Sequence, residues 1–527
     1  MNSNNTPKDG LQGLKENFIS DFLSGFIVFL LALPLSLGIA KASDFPPITG
    51  LITAIIGGTV VSLFSGSKLT IKGPAAGLIV IVAGSVAEFG GGDIGWRLTL
   101  GAIIIAGLLQ VVFGLLKLGK LSDFFPLSAI RGMLAAIGLI IIAKQIPVLL
   151  NVDPSISKGK GPIELLASVP QFVMHLDTKG SVIGLLSLMT MLLWPLIPNK
   201  SIQKVPAPLI VLLLTIPLGF IFEFAKAGPA YSLVHIGNIL NTVGWNVDFS
   251  GVYQPAVFVK YVVMFALVGS LESLLTVKAI DMLDPYKRKS NTNQDLLAVG
   301  FGNMVSGMLG GLPMISEVAR SSSNVNNGAK TRWANFFHGF FILVFVLLFV
   351  PVIEMIPNAA LAGMLIAVGI KLAHPQEFIH VYKIGREQLA IFLTTIFFTL
   401  FEDLLVGIAA GILLKMLFHL SRGVSLRSFF TPTIRIALTN DEYDVTIQDA
   451  ALFTNWISIK NKLLSIPKSK HIKIDVSGAS MLDHSVIYNL HLFEQEYQQA
   501  GGQFTIKGLE HLRPVSDHAM ACRVKRK

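Results

Sequence analysis

The residues of this sequence that could do chemistry are polar groups set within apolar runs, and the first of them is Glu272. It is the only acid in Val257–Val277, and Thr276 follows it by one helical turn on the same face. A charged side chain inside a membrane-sized apolar run is costly and by default faces a cavity or a partner. Glu272 is therefore a candidate to bind a cation such as Na⁺ or to take up a proton. The alternative is a neutral glutamic acid that fixes helix packing by hydrogen bonding.

The second polar group lies between Pro313 and Asn327. Arg320 would be three residues after Glu317 on a helix, where the two side chains could form an ion pair. An arginine near an exposed helix start favours an anion, so the segment predicts an anion site. The alternatives are a structural Arg–Glu pair and a segment that lies among the lipid headgroups. If the helix begins near Ser316, one face carries a polar stripe of Ser316, Arg320, Ser323, Asn324 and Asn327.

The third group is the short stretch Pro74-Ala75-Ala76-Gly77. Proline suits the first turn of a helix, where its missing N–H is not needed. Alanine and glycine leave the free N–H groups of a helix start open to a ligand, and the helix dipole adds positive charge there. Ala75, Ala76 and Gly77 therefore indicate a second part of an anion site. Close packing of two membrane helices through small residues is the alternative interpretation.

Several other kinds of site are excluded by the sequence. The single cysteine, Cys522, allows neither an intrachain disulfide framework nor a multi-cysteine metal site. The histidines form no H-E-x-x-H pattern, and the chain has no G-x-x-x-x-G-K-[ST] phosphate-binding loop. We therefore predict a protein that is not an enzyme, has no cofactor or metal centre and uses an ion gradient rather than ATP.

The elements that must position these groups are membrane spans. The chain has 527 residues, of which 52% are hydrophobic and only 14% charged, whereas soluble proteins have about 25% charged residues. Apolar runs long enough to cross a bilayer recur along the sequence, and we expect about 12 to 14 spans. The runs are Phe22–Ala40, Ile48–Phe64, Pro74–Phe89, Leu98–Leu116, Gly132–Leu150, Val182–Ile197, Pro208–Phe224, Val257–Val277, Leu296–Leu309, Phe336–Ile353, Asn358–Leu372, Leu389–Leu400 and Leu404–Leu420.

The spans contain traces of an internal repeat. PLSAIRGMLAAIG (Pro126–Gly138) is echoed by PNAALAGMLIAVG (Pro357–Gly369), and the Gly/Pro breaks at Pro74 and Pro313 lie at a similar separation. Interrupted segments at matching places in two halves are the best sequence indication of a transporter's central site. An odd number of spans in each half would make the two halves antiparallel in the membrane.

The basic residues predict the orientation of the chain. Lysine and arginine are enriched in cytoplasmic loops, and here they occupy one alternate set of loops, which places both termini in the cytoplasm. The net charge of +10 is then mainly an orientation signal and not a sign of nucleic-acid binding. The basic loops contain Lys68 and Lys72, Lys117 and Lys120, Lys200 and Lys204, Lys287–Lys289, Lys330 and Arg332, and Lys383 and Arg386; the acidic ones contain Asp44, Glu88, Asp93, Glu223, Glu354, Glu402 and Asp403.

The sequence pattern changes after Arg422. Short alternating stretches typical of strands are separated there by helical stretches. Strands that alternate with helices predict a small α/β domain without an evident catalytic set. The predicted strands are Thr433–Leu438, Glu442–Ile447, His471–Val476 and Gln503–Ile506, and the predicted helices are Ala451–Leu464 and Ser485–Gln499.

Together these residues resemble the SulP family of inorganic anion transporters over almost the whole chain. The tail stretch IDVSGASMLDHS (Ile474–Ser485) resembles the STAS domain of that family. The other matching stretches are LALPLSLGIA (Leu31–Ala40), SGSKLTIKGPAAGL (Ser65–Leu78), GLLKLGKLSDFFP (Gly114–Pro126), GSLESLLT (Gly269–Thr276), GGLPMISEVARSSSNVNNGAKT (Gly310–Thr331) and IPNAALAGML (Ile356–Leu365).

The resemblance implies an all-α polytopic membrane protein with 14 transmembrane segments in a 7+7 inverted repeat, the fold shared with nucleobase transporters such as uracil carriers. A small cytoplasmic α/β STAS domain follows. In this arrangement residues 1–17 form a cytoplasmic segment, 18–421 the transporter domain with repeats at about 18–226 and 253–421, and 433–527 the STAS domain. The implied setting is the plasma membrane, with a homodimer and a cytoplasmic partner of the STAS domain.

The resemblance also implies which residues form the site. The third and tenth segments would be half-helices whose N-termini face each other around the anion, with Arg320 beside it. The acidic position used for Na⁺ or proton coupling in prokaryotic members falls on Glu272. The resemblance thus assigns Ala75, Ala76, Gly77, Val318, Ala319, Arg320 and Ser321 to the anion, Glu272 and Thr276 to the coupling ion, and Ser316, Glu317, Ser323 and Asn324 to a supporting role.

We therefore predict a secondary active transporter of an inorganic anion, sulfate or bicarbonate, coupled to H⁺ or Na⁺. A nucleobase carrier on the same fold is an alternative, although such a site would favour neutral side chains over Arg320. The sequence is also compatible with a passive anion channel and with a membrane-anchored signalling protein that has a partner-binding tail.

Overall fold

The structure is a computed structural model that describes residues 6–199, 205–227, 232–236, 242–402, 404–439, 442–467, 470–499 and 501–525. Of the loop residues used to predict the orientation, Lys200, Lys204 and Asp403 lie outside these ranges. The chain divides into two compact units. The first contains residues up to Gly119 and Ile137–Leu372, and the second contains Lys120–Ala136 and the chain from Ala373 onward.

The first unit is mainly helical. Every apolar run predicted in it contains a helix, as expected for segments that must satisfy their own backbone polar groups. Within the described ranges of the whole chain, seven helices are long and apolar enough to cross a membrane. The longer helices of this unit, each of 9 residues or more, are α1 (Gly10–Ala42), α2 (Pro47–Thr59), α3 (Ile79–Glu88), α4 (Gly92–Leu115), α5 (Leu127–Leu149, whose start belongs to the second unit), α6 (Thr178–Leu193), α7 (Ala207–Ile221), α8 (Pro255–Leu283), α9 (Thr292–Met308), α10 (Val318–Asn326), α11 (Trp333–Leu348) and α12 (Asn358–Leu372).

Helix α1 begins before its apolar run, and the residue that precedes the run anchors the helix by polar contacts. Asp21 is fully buried in it. The carboxylate accepts hydrogen bonds from the backbone N–H groups of Lys330 (2.7 Å) and Thr331 (3.1 Å) and from the Thr331 hydroxyl (2.5 Å). Three donors thus satisfy this buried acid and tie α1 to the start of α11.

Two short strands lie inside the helical unit. β1 (Ile71–Pro74) and β2 (Met314–Glu317) pair antiparallel, with Ile71 opposite Glu317 and Pro74 opposite Met314. All of their residues are buried except Glu317, which is half-buried. The strands form a two-stranded ribbon in which each backbone provides hydrogen-bond partners for the other, as required away from water.

The ribbon overturns two predictions. The helix expected to begin near Ser316 begins at Val318, because residues 314–317 are extended and paired with β1. Lys72, which the sequence pattern placed in a cytoplasmic loop, is a fully buried residue of β1. Lys72 is therefore not one of the loop residues that indicate the orientation, since its side chain forms an internal contact.

The second unit combines helices with a seven-stranded sheet. Its strands and longer helices are α13 (Pro375–Ile384), α14 (Arg386–Phe401), α15 (Leu404–Ser421), β3 (Thr433–Thr439), β4 (Glu442–Ala451), α16 (Trp456–Leu464), β5 (His471–Asp475), β6 (Ala479–Leu482), α17 (His484–Gln499), β7 (Gln503–Lys507), β8 (Leu512–Pro514) and β9 (Arg523–Lys525). The strand order is β7-β5-β4-β6-β9-β8, with β3 paired to β4. The central pairs β7–β5, β5–β4 and β4–β6 are parallel, and β3, β8 and β9 form antiparallel pairs.

All of the strands and helices predicted in the tail are present. Helix α16 begins at Trp456 and not at Ala451, because Ala451 ends β4. Trp456, Ile474 and Leu490 belong to one buried core between the sheet and its helices. The strands β6, β8 and β9 were not predicted, because each has only three or four residues and too few positions to show alternation.

Candidate functional site

The β1–β2 ribbon sets the direction of two helices. Because its strands are antiparallel, α3 and α10 leave it in opposite directions and both N-terminal ends face back toward it. The partial positive charge at each helix start is therefore directed at the same small region. We refer to residues 71–78 and 314–321 as the ribbon site.

The start of α3 is built from small residues. Ala75 is extended, a 3₁₀ turn covers Ala76–Leu78, and α3 follows from Ile79. Ala75 and Ala76 are buried, and within the described ranges no side chain caps either helical start. The first backbone N–H groups of this start are therefore not taken up by a described side chain.

Glu272 lies directly against the start of α3. A Cβ atom on Gly77 would collide with its carboxylate, so the lack of a side chain at this position permits the approach. Glu272 is 8% exposed, and its Oε1 atom has no hydrogen-bond partner among the described residues. Thr276, one turn further along α8, is also buried. The structure therefore brings the predicted coupling acid to the predicted anion-binding turn.

The start of α10 differs because it is capped by a side chain. The Oε2 atom of Glu317 accepts a hydrogen bond of 2.7 Å from the backbone N–H of Arg320. Val318 and Ala319 are exposed, whereas Arg320 and Ser321 are buried. The ion pair expected between the Glu317 and Arg320 side chains is not formed, because the carboxylate bonds to the backbone of the helix instead.

Arg320 is the most unusual side chain of the ribbon site. It is 1% exposed, and within the described part of the chain none of its three guanidinium nitrogens has a hydrogen-bond partner. A Cβ atom on Gly73 would lie 2.8 Å from Nη1, so the guanidinium lies against β1 where that strand has no side chain. Leaving a buried charged donor unsatisfied costs free energy that an oxyanion would recover by accepting its hydrogen bonds.

Ser321 and Asn324 hold α10 in place. The backbone N–H of Ile71 donates to the Ser321 hydroxyl at 2.8 Å. The Asn324 amide donates to the carbonyl of Leu69 at 2.9 Å and accepts from the Ser24 hydroxyl at 2.8 Å. These contacts join α10 to β1 and α1, so the two residues act mainly by positioning the helix.

Ser323 is not brought into the ribbon site. It is half-buried, and both its carbonyl (2.7 Å) and its hydroxyl (3.2 Å) accept hydrogen bonds from the Asn327 side chain at the end of α10. The polar stripe predicted from helical spacing is therefore divided, because β2 replaces its first turn and Ser323 bonds within its own helix.

A buried ion pair that was not predicted from the sequence lies beside the ribbon. Lys72 donates to Asp295 of α9 (2.7 Å), to Ser316 (2.6 Å) and to Thr70 (2.7 Å), which uses all three of its N–H bonds. Asp295 also accepts from Ser65 at 2.8 Å. The available signals were a lone lysine in a β-like stretch and a lone acid in α9, but nothing in the sequence paired them.

The second unit contains its own buried charge cluster. Lys415 of α15 lies 3.2 Å from Asp483 and donates to Ser485 at 3.0 Å. Asp483 also accepts from the backbone N–H groups of Phe453 (2.7 Å) and Val486 (2.8 Å). Burial alone would raise the pKa of Asp483, but the Lys415 charge and the hydrogen-bond donors hold that pKa below its ordinary value. These groups are mutually satisfied and fix the start of α17.

Comparison with known proteins supports a common ancestry for most of the chain. A family model described as the sulfate permease family matches residues 18–395. The chain is 30% identical over 415 residues to "Putative sulfate transporter YvdB" of Bacillus subtilis, which covers 77% of this chain and 74% of that protein. It is 26% identical over 432 residues to the bicarbonate transporter BicA of Picosynechococcus sp., covering 80% and 74%.

A solved structure shares the fold of both the membrane part and the tail. It is that of the murine solute carrier 26 family member A9 anion transporter in the inward-facing state, with a TM-score of 0.67 at 14% sequence identity. The match covers 93% of this chain and 85% of that one. It confirms the predicted fold class, a helical membrane protein followed by a small α/β region.

Proposed function

Because the chain belongs to the sulfate permease family, we propose that it is a secondary active transporter of a small inorganic oxyanion. The family consists of transporters and not of enzymes, and the chain itself is a multi-pass membrane protein. Sulfate and bicarbonate are the anions named for its relatives, and they define the substrate class of the proposal.

The observation that carries the proposal is the unsatisfied guanidinium of Arg320. A buried arginine without a hydrogen-bond partner among the described residues, next to two helix starts that direct positive charge at the same ribbon, is suited to a planar or tetrahedral oxyanion. The anion would contact the backbone at Ala75, Ala76 and Gly77 on one side and at Val318 and Ala319 on the other. A neutral nucleobase offers no charge to compensate Arg320.

Glu272 would carry the coupling ion, H⁺ or Na⁺, with Thr276 one turn away. The carboxylate lies against Gly77, so an anion at the start of α3 and a negative Glu272 would repel each other. A proton or Na⁺ on Glu272 removes this repulsion and raises the affinity for the anion, and by linkage the anion raises the affinity for the cation by the same factor. This reciprocity is the thermodynamic basis of symport.

The cellular setting follows from the same proposal. Residues 18–421 would form the transporter domain in the plasma membrane, with repeats at about 18–226 and 253–421 and both termini in the cytoplasm. The α/β region at 433–527 would be a STAS domain that binds a cytoplasmic partner, and the transporter would be a homodimer.

Uptake by proteoliposomes tests the proposal. Vesicles containing the full chain are given labelled sulfate or bicarbonate with an inward Na⁺ gradient, an inward proton gradient or neither. The proposal expects one anion to accumulate above its external concentration under one gradient and to leave when that gradient is dissipated. Entry that only equilibrates the anion would indicate a channel, and no entry under any condition would overturn the proposal.

A further inference from the structure

The start of α10 is occupied by a carboxylate that belongs to the protein itself. Glu317 is the last residue of β2, and its Oε2 atom accepts the 2.7 Å hydrogen bond from the N–H of Arg320. A carboxylate and an oxyanion substrate make the same demand on a helix start, namely backbone N–H donors and positive charge. The anion proposed above and the Glu317 side chain therefore compete for the same helix start.

The two helix starts of the ribbon site are unequal in this respect. Among the described residues no side chain caps the turn at Ala76–Leu78 or the start of α3, whereas Glu317 caps α10. The neighbours Val318 and Ala319 are exposed, so the capped start lies at the surface of the described protein. An incoming anion thus finds one start unoccupied and the other already filled.

The charge of Arg320 also acts on Glu317. The guanidinium lies on the same helix start and attracts the carboxylate, although it forms no hydrogen bond with it. The cap is therefore held by one backbone hydrogen bond, which an oxyanion with several acceptor oxygens can replace.

We infer that Glu317 is a tethered competitor of the transported anion. Its carboxylate holds the start of α10 while the site is empty, and it moves off the Arg320 N–H when the anion binds there. The inference rests on the proposed function and adds to it a residue that sets affinity and specificity: an anion is accepted only if it replaces a carboxylate at this position.

Equilibrium binding tests the inference. The full chain in lipid nanodiscs is titrated with labelled sulfate and, separately, with bicarbonate, for the wild type and for Glu317→Gln. Glutamine keeps an oxygen to cap the helix but lacks the negative charge, so it should compete less strongly than the carboxylate and the apparent Kd of the preferred anion should fall severalfold. Glu317→Asp keeps both the charge and the capping ability and should bind like the wild type.

A matched control and the opposing outcomes complete the design. Glu164 is an exposed acid that caps a short helix (Pro162–Ala167) outside the ribbon site, and Glu164→Gln should leave the Kd unchanged. An unchanged or higher Kd in Glu317→Gln, or an equal fall in Glu317→Asp, overturns the inference while leaving the transport proposal intact. If neither anion binds to the wild type or to Glu317→Gln, the proposed function fails and the inference fails with it.

Discussion

The ribbon carries two sets of buried charges that the protein treats in opposite ways. Lys72 and Asp295 form an ion pair in which the lysine uses every N–H bond on a protein acceptor. Glu272 and Arg320 are also buried, yet among the described residues a carboxylate oxygen and a whole guanidinium remain without partners. A charge whose hydrogen bonds are all made within the protein cannot bind a ligand as well, whereas a charge without partners can form hydrogen bonds to a ligand.

Whether a buried charge has hydrogen-bond partners in the protein separates structural charges from functional ones, and the residue type alone does not. Lys72 and Arg320 are both basic residues near the same ribbon, and only their partners distinguish them. The Lys415–Asp483 cluster of the second unit belongs with the satisfied set. Substitutions in the satisfied set should therefore change folding, and substitutions in the unsatisfied set should change transport.

The largest effect is expected from breaking the satisfied pair. Lys72→Met leaves Asp295 as an uncompensated buried charge and should lower the free energy of unfolding by about 3–5 kcal/mol, which few membrane domains tolerate. Combining it with Asp295→Leu should restore most of that loss, because no isolated charge remains. Thermal unfolding midpoints and the yield of monodisperse protein measure both variants. If Lys72→Met alone were as stable as the wild type, Lys72 would not be needed for folding.

Glu272→Gln should abolish accumulation of the anion while sparing the fold. The substitution keeps the size of the side chain but removes the group that would bind the proton or Na⁺. Proteoliposome uptake with and without a gradient measures the loss, and an unaltered unfolding midpoint checks the fold. Glu88→Gln, at the exposed end of α3, is the matched control and should retain gradient-driven uptake. Full coupling in Glu272→Gln would remove this acid from the mechanism.

Arg320→Gln should weaken anion binding by about ten- to a hundredfold, since hydrogen bonds to charged groups are worth about 1.5–3 kcal/mol. The unfolding midpoint should not fall, because no described protein group loses a partner of this guanidinium. Arg320→Lys should lie between the two proteins, as it keeps the charge but not the planar pair of donors. Titration with the preferred anion in nanodiscs gives the Kd values. Normal binding combined with a lower midpoint would make Arg320 structural.

Gly77→Ala should have the smallest effect of the series. The added methyl group meets the Glu272 carboxylate and must displace it from the start of α3. We expect uptake at low anion concentration to fall severalfold with little change in stability. Gly219→Ala, in the interior of α7, adds the same atom at an ordinary contact distance of 3.6 Å and should be neutral. Equal uptake by Gly77→Ala and Gly219→Ala would show that transport does not depend on the contact between the Glu272 carboxylate and the start of α3.

The sequence alone predicted most of the helices and the identity of the unusual polar groups. Long apolar runs have only one way to satisfy their backbone in a bilayer, which is why the helices were found. Glu272 was identified because a single charge in such a run is rare, and Arg320 because an arginine near a helix start favours an anion. The start of α10 was misplaced because the extended conformation of residues 314–317 depends on β1, which lies far away in the sequence.

The role of Lys72 was hidden for the same reason. A lysine between two apolar segments resembles an orientation signal, and only the fold shows that Asp295 and Ser316 surround it. The capping role of Glu317 could not be predicted from the sequence either, because helical spacing indicated the Arg320 side chain as its partner. In both cases the sequence does not show which of several possible partners the polar side chain contacts in the folded protein.

The long sequence separation across the ribbon has a consequence for biosynthesis. Lys72 is made 223 residues before Asp295 and 244 residues before Ser316. At about 5–20 residues per second, the ribosome needs about 10–50 seconds to supply these partners. During that interval the ammonium group and the unpaired backbone of β1 cannot rest in lipid, which would satisfy neither. Until the second half of the chain arrives to complete the ribbon, β1 must therefore be surrounded by water, by other protein or by the insertion machinery.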